Sequence, residues 1–364
     1  MARTLFLHIG AHRTATSTIQ KFLHSNYQLL ASRGILQVNG VPRQARLMQA
    51  MAVGRVQVPE VVERINRQIE QVGQAIHSVI LTDEDICCQR DLSYLAPFRD
   101  HFDVKIIYTL RRQDLWLESW YYQNIKWQWQ RKLSHLTFPE FMNIYQDFHW
   151  INYDSYIRHL ESLFGKENIL LTVHEKAHML GGPIATFCRH LGLDDLKDFV
   201  LPGKMNPSFT AATSEFMRHL PLDQAPPQYR AEFERILHVI DLKLRQKTGE
   251  TSSLLLTHEE RKALMAEFES ENAPVAERYF GRSQLFEEPL PPADAPLADM
   301  SLPGSPQALL DLFILPLVQG MAPGMTPQGL MEQLAIPFVQ AVIRHREKQG
   351  KDAGQDGGSG ASRR

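Results

Sequence analysis

The sequence predicts an α/β fold: a parallel β-sheet flanked by helices on both faces, in three layers. Three observations predict it. Short, continuously apolar runs recur at residues 5–9, 79–81, 104–110 and 169–173, which is how strands read when both faces of a sheet are covered. Longer helical segments separate them, as crossovers between parallel strands require. Polar residues follow each run at once, namely His12 and Arg13, Asp83 and Glu84, Arg111 and Arg112, His174 and Glu175. In an open parallel sheet, ligands bind beyond the carboxyl ends of the strands, so these are the candidate site residues.

Taken in order, residues 17–32 read as the helix after the first strand, with Leu23, Leu29 and Leu30 as its apolar stripe. Residues 43–76 read as polar and largely helical. The stretch QDLWLESWYYQNIKWQWQ, which follows the third strand, reads as a long aromatic helix. A helix, a turn at Gly165 and the fourth strand complete the sheet, and beyond residue 195 the pattern is helical with loops. The expected organisation is an α/β domain over 1–290, a proline-rich linker over 291–306, a short helical extension over 307–348 and a disordered tail over 349–364. Leu309, Leu310, Leu312, Phe313, Ile314 and Leu315 are too apolar to stand in water. The extension is therefore expected to pack back on the main domain, with a homodimer through these helices as the alternative.

Composition narrows the function classes. Hydrophobic residues are 43% and charged residues 22%, a soluble globular profile. Thirty-nine basic against forty-one acidic residues leave a net charge of -2, so nothing global favours nucleic acid or an anionic membrane, and any anion must be held by a local site. Cys87, Cys88 and Cys188 show neither metal-ligand spacing nor a disulfide framework, which suits buried thiols in a reducing compartment. The first apolar run is too short for a secretory leader, and none approaches the ~20 residues of a membrane span. The expectation is a cytoplasmic protein.

The stretch LHIGAHRTATSTIQKFL carries the first chemical signal. A strand, a glycine turn and a helix N-terminus gather backbone N–H groups around one anion, and the helix dipole adds to the attraction. Thr14, Thr16, Ser17 and Thr18 add hydroxyls, and Arg13 adds a forked cation. Laying the nucleoside-triphosphate loop on Gly10 puts Ala15 at its second glycine and Thr16 at its lysine. The loop is poorly equipped for ATP. The same hydroxyl residues also suit plain helix capping.

A second stretch, YTLRRQDLWLESWYYQ, sets Ser119 eight residues after Arg111. Together the two stretches resemble the sulfotransferase superfamily, a P-loop-containing nucleotide hydrolase-like fold. VILTDEDI, LFGKENILLTVHE, MNPSFTAATSEFMRHL and LTHEERKALMAEFESENAPVAERYF are similar to further segments of its bacterial branch, which includes carbohydrate-type enzymes. The likeness runs over about residues 3–287. It implies a donor, 3'-phosphoadenosine 5'-phosphosulfate, with adenosine 3',5'-bisphosphate as product, and a hydroxyl or amine of a glycan or other small acceptor. It implies that Arg13, Thr14, Ala15, Thr16, Ser17 and Thr18 grip the phosphosulfate, Arg13 standing in place of the usual lysine and Ala15 in place of a glycine. Arg111 and Ser119 match the 3'-phosphate segment unchanged. Glu84 falls at the expected base, with Asp83 and His12 as competitors, and no metal is called for. Asn206 and Ser208 are candidates for a loop that closes over the nucleotide. The aromatic residues Trp116, Trp120, Tyr121, Tyr122, Trp127 and Trp129 read first as core and second as an acceptor wall with Lys126 and Arg131 at its rim. The alternatives left open are a P-loop kinase or NTPase, and an inactive nucleotide- or partner-binding module of the same fold.

Overall fold

A computed structural model of the chain describes residues 2–73, 75–203, 208–249, 252–321 and 327–330, with residues 332 and 340. The chain forms two compact units, Met1–Ser208 with Ser253–Leu297, and Phe209–Ser252 with Ala298–Arg364.

The first unit is an α/β fold built on a five-stranded, all-parallel sheet. Its strands are β1 (Thr4–Gly10), β2 (Ile35–Gln37), β3 (Ser78–Thr82), β4 (Asp103–Leu110) and β5 (Ile169–Val173), in the order β2-β3-β1-β4-β5. All four expected strands are present, each within two residues of its predicted ends. The strand missed by the sequence reading is β2, whose three residues are too few to show a pattern. β1 lies in the centre, with Leu7 beside Leu81 of β3 and Ile106 of β4. Successive connections run to one side of β1 as far as β3 and then cross to β4 on the other. The crevice of such a sheet opens where this direction reverses, at the carboxyl ends of β1 and its neighbours.

The predicted helix over 17–32 is two helices, α1 (Thr16–Ser25) and α2 (Tyr27–Ser32). Asn26 separates them. Its Nδ2 donates to the carbonyls of Phe22 and Val200, and its Oδ1 accepts from the Val200 N–H, so the side chain replaces helical continuity with a tie to a distant loop. The apolar face of α1 (Ile19, Phe22, Leu23) packs with Phe6, Ile80, Ile107 and Phe187 over one face of the sheet. Burying each such side chain contributes roughly 1.5–3 kcal/mol. Helices α3 (Ala45–Ala52) and α4 (Val58–Val72) follow β2, and α5 (Gln113–Trp127) follows β4.

Segment 253–297 returns to this unit, and a buried arginine is one of its ties, beside Arg278 on Asp154 and Glu161 and Asn272 on Gln113. Arg261, which has no solvent exposure, donates to Asp114 at 2.7 Å and to Glu118 at 2.7 Å, both on α5. Glu118 also accepts the N–H groups of Leu255 and Leu256. Each buried charge thus meets opposite charge and hydrogen bonds.

The second unit contains helices Ala211–Arg218 and Pro227–Thr248. Asp241 accepts from both the N–H and the hydroxyl of Thr210, each at 2.7 Å. The buried ring of Phe313 stacks on Phe216 with centroids 4.5 Å apart. At Gly320 a Cβ would lie 2.7 Å from Ile236, so the helix Leu315–Met321 approaches Pro227–Thr248 closely. The apolar 309–315 stretch therefore finds its packing for Phe313 on the 209–252 helices.

Candidate functional site

The loop between β1 and α1 is shaped by three unusual backbone conformations. Gly10 has φ +107°, and a Cβ there would meet Glu84 Cβ at 3.3 Å and the His12 nitrogen at 3.2 Å. Arg13 and Ala15 both adopt left-handed conformations, with φ of 64° and 67°. Non-glycine residues rarely hold that conformation, and the alternation curls the loop into a concave turn. Thr14, between them, points inward: it is buried and its hydroxyl donates to the Ala11 carbonyl at 2.6 Å.

Helix α1 begins at Thr16 with no side-chain cap and no acidic residue in its first turn. The hydroxyl residues therefore do not serve as simple caps. Backbone N–H groups at such an end, together with the dipole, attract an anion. The cavity in front of this end is about 410 Å³, and it is lined by Arg13, Thr16, Ser17 and Thr18 on one side and by Arg43, Glu84 and Gln123 on the other. His12 and Ala15 also line it, while Thr14 does not.

Arg111 and Ser119 are not part of the cavity lining, but both bond to Arg13, which is. The Arg111 Nη1 donates to the Arg13 carbonyl at 2.6 Å, and the Arg13 guanidinium donates to Ser119 at 2.7 Å and to Gln123 at 2.7 Å. Ser119 is thus brought to Arg13. Neither guanidinium forms an ion pair among the described residues. Burial lowers the Arg13 pKa, and burial followed by repulsion from Arg13 lowers that of Arg111 to about 10. His174 shares this environment. Burial, then Arg111 and Arg13, pull its imidazole down to about 4, and its Nδ1 has no hydrogen-bond partner. By contrast, Arg112 is used structurally, donating to Asp114 at 2.8 Å and to the carbonyls of Glu288 and Pro289. Glu175 accepts the N–H groups of Glu287 and Glu288, a structural role.

The opposite wall is acidic, and one residue organises it. Arg43, which sequence reasoning missed, donates to Asp83 at 2.5 Å and Glu84 at 3.4 Å and pairs with Asp85. Its signal lay in being a polar residue just beyond a strand, but only once β2 is known. Burial raises the Asp83 pKa to about 6 despite Arg43. Burial also penalises the Asp85 charge, but the His12 hydrogen bond and Arg43 outweigh it and hold Asp85 below the usual range. Glu84 is buried, accepts a hydrogen bond from Gln20 and borders the cavity. Asp83 does not border it. His12 is held by Asp85 at 3.0 Å and by Trp120, whose ring lies 4.7 Å away.

The aromatic residues divide. Trp116, Trp120, Tyr121 and Tyr122 are buried core. Trp127 and Trp129 are stacked, with centroids 5.5 Å apart, and border the cavity beside Lys126. Of the expected closing loop, Asn206 lies outside the described residues, and Ser208 is exposed.

No protein-family profile matches the chain. An uncharacterised protein of Archaeoglobus fulgidus is 26% identical over 203 residues, which is 54% of this chain and 52% of that protein. The chain therefore spans about half the length of this relative. A crystal structure of a sulfotransferase from Alicyclobacillus acidocaldarius aligns with 70% of this chain and 98% of its own, at 14% identity and a TM-score of 0.37. Among the described residues, no helix is long and apolar enough to cross a membrane.

Proposed function

We propose that this chain is a sulfotransferase that takes a sulfuryl group from 3'-phosphoadenosine 5'-phosphosulfate and passes it to a hydroxyl or amine. The observation that carries the reading is the pair Arg13 and Arg111, two desolvated cations of which the first repels the second and neither forms an ion pair among the described residues. A donor bearing several negative charges is the ligand such a pair favours.

The residues fit that donor. The free N–H groups at the start of α1, the hydroxyls of Thr16, Ser17 and Thr18, and Arg13 would hold the phosphosulfate. Arg111, bonded to the Arg13 carbonyl, and Ser119, bonded to the Arg13 guanidinium, would take the 3'-phosphate, which ATP lacks. When bound, the donor supplies an activated sulfuryl group. Arg13 stabilises negative charge that grows on the departing phosphate oxygen, and needs no reorganisation because Ser119 and Gln123 already fix it. Glu84 accepts the proton of the acceptor hydroxyl. Burial raises the Asp83 pKa to about 6, but a base must first reach the substrate, and of these two carboxylates Glu84 alone borders the cavity; His12 borders it as well but is engaged by Asp85. Arg43 and Gln20 hold the Glu84 carboxylate in place. A glycan face against Trp127 and Trp129 is the acceptor this wall suits.

Calorimetric titration with adenosine 3',5'-bisphosphate, with magnesium ATP as the competitor, tests the reading. Micromolar binding of the bisphosphate, undiminished by ATP, is expected. Failure to bind, or preference for ATP, would overturn it.

A further inference from the structure

We propose that His12, Cys87 and Cys88 form a binding site for a soft divalent cation, zinc above all, beside the cavity that His12 also lines. In the sequence the histidine and the cysteine pair are 75 residues apart, so no ligand spacing is visible. The sheet order brings them together, because β1 and β3 are neighbours and end at the same edge. The ligand atoms of all three residues lie within 4.8 Å of one another.

The geometry of the sulfurs favours an ion. The Cys87 and Cys88 Sγ atoms are 3.9 Å apart. A tetrahedral ion with Zn–S bonds of about 2.3 Å sets its two sulfurs about 3.8 Å apart. Both thiols therefore already stand at the edge length of the coordination polyhedron. The 3-10 turn Glu84–Cys88 fixes this arrangement, and the Cys87 thiol donates to the Glu84 carbonyl at 3.1 Å within it.

A second observation concerns the imidazole. Asp85 holds His12 Nε2 at 3.0 Å, which leaves Nδ1 as the ligand nitrogen. A carboxylate on the far nitrogen is the arrangement that fixes the tautomer of metal-bound histidines and raises their basicity. Asp85 has 54% of its side chain exposed and Cys88 is half-buried, so an ion has a route in from solvent. Two thiolates and one imidazole supply three ligands, a set that zinc accepts with the fourth position left to water. The inference does not depend on what the cradle binds.

The test uses the full chain without an affinity tag, reduced and stripped of metal, titrated with Co2+ and then Zn2+. Expected are a near-ultraviolet sulfur-to-cobalt charge-transfer band and strong visible bands of a tetrahedral site, saturating at one equivalent and erased by zinc. Binding should release about two protons as the thiols ionise. Cys88→Ser, at a half-buried position, should weaken zinc binding by more than the ~10–100-fold that loss of an outer partner costs. Asp85→Asn should fall within that lower range. Cys188→Ser should leave the cobalt spectrum unchanged. Absence of the charge-transfer band in the reduced wild type would overturn the site, as would its persistence in a folded Cys87→Ser, Cys88→Ser double variant.

Discussion

Arg261 and Arg111 are both drawn out of water, and the protein treats them in opposite ways. Arg261 is surrounded by Asp114, Glu118 and the Leu256 carbonyl, while Arg111 donates to the Arg13 carbonyl and forms no ion pair among the described residues, so that burial and Arg13 outweigh the more distant pull of Tyr153, Asp114 and Glu118. A buried guanidinium that serves the fold is neutralised where it stands. One left unneutralised, with its pKa depressed, carries a cost that folding does not require, and such sites mark function. Arg43 stands between these cases, paired with three carboxylates at the rim of the cavity.

The largest effect should come from the paired residue. Arg261→Met leaves Asp114 and Glu118 buried with one cation fewer, and breaking a buried pair costs about 3–5 kcal/mol. Urea unfolding should show a loss of that size. A loss below ~1 kcal/mol would mean that water or Arg112 compensates, and the contrast with Arg111 would collapse. Arg111→Met should reverse the pattern. Its fold should be no less stable, since a desolvated cation is removed, while affinity for adenosine 3',5'-bisphosphate should fall by the roughly 1.5–3 kcal/mol of hydrogen bonds to charged groups. Equal loss of stability in the two variants would refute the division into structural and functional arginines.

Arg43→Met should lie between them and should depend on pH. The Asp83 carboxyl already titrates at about 6 in the fold against an ordinary 3.8. Its folded pKa is the higher, so the fold is favoured when the group is protonated, and that contribution is lost as pH rises through about 6. Removing Arg43 pushes the carboxyl up further. The penalty, on the order of 1–2 kcal/mol at pH 8, should shrink toward pH 5. Denaturant midpoints at the two pH values measure it, and a penalty independent of pH would show that Asp83 is not the group involved.

The parts of this contrast that were legible in the sequence are those encoded locally. Continuous apolar runs disclosed four of the five strands, and Arg13, Glu84 and Arg111 followed from their places just beyond strand ends. What remained hidden depends on pairing across the sheet. Asp114 lies two residues from Arg112, but nothing in the sequence says that the distant carbonyls of Glu288 and Pro289 will complete its partners while Arg111 forms no ion pair among the described residues. β2 was too short to detect, and without it Arg43 had no strand end to mark it. Thr14 looked like its neighbours, yet the left-handed residues on either side turn it inward.

The smallest effect is also the most direct reading of the unpaired charge. His174 lies close enough to Arg111 and Arg13 for both to depress its pKa, although burial is the larger cause. Its imidazole should stay neutral down to about pH 4, and NMR of the ring protons follows that titration. Arg111→Met removes one repelling cation, so the midpoint should rise while the burial contribution persists. Arg261→Met should not move it. A bound anion that neutralises the arginines should raise the midpoint too, and linkage then requires that anion binding take up protons and strengthen as pH falls toward that midpoint. If adenosine 3',5'-bisphosphate binds but the His174 midpoint stays fixed, the anion is held at the start of α1 alone, and Arg111 has lost its place in the site.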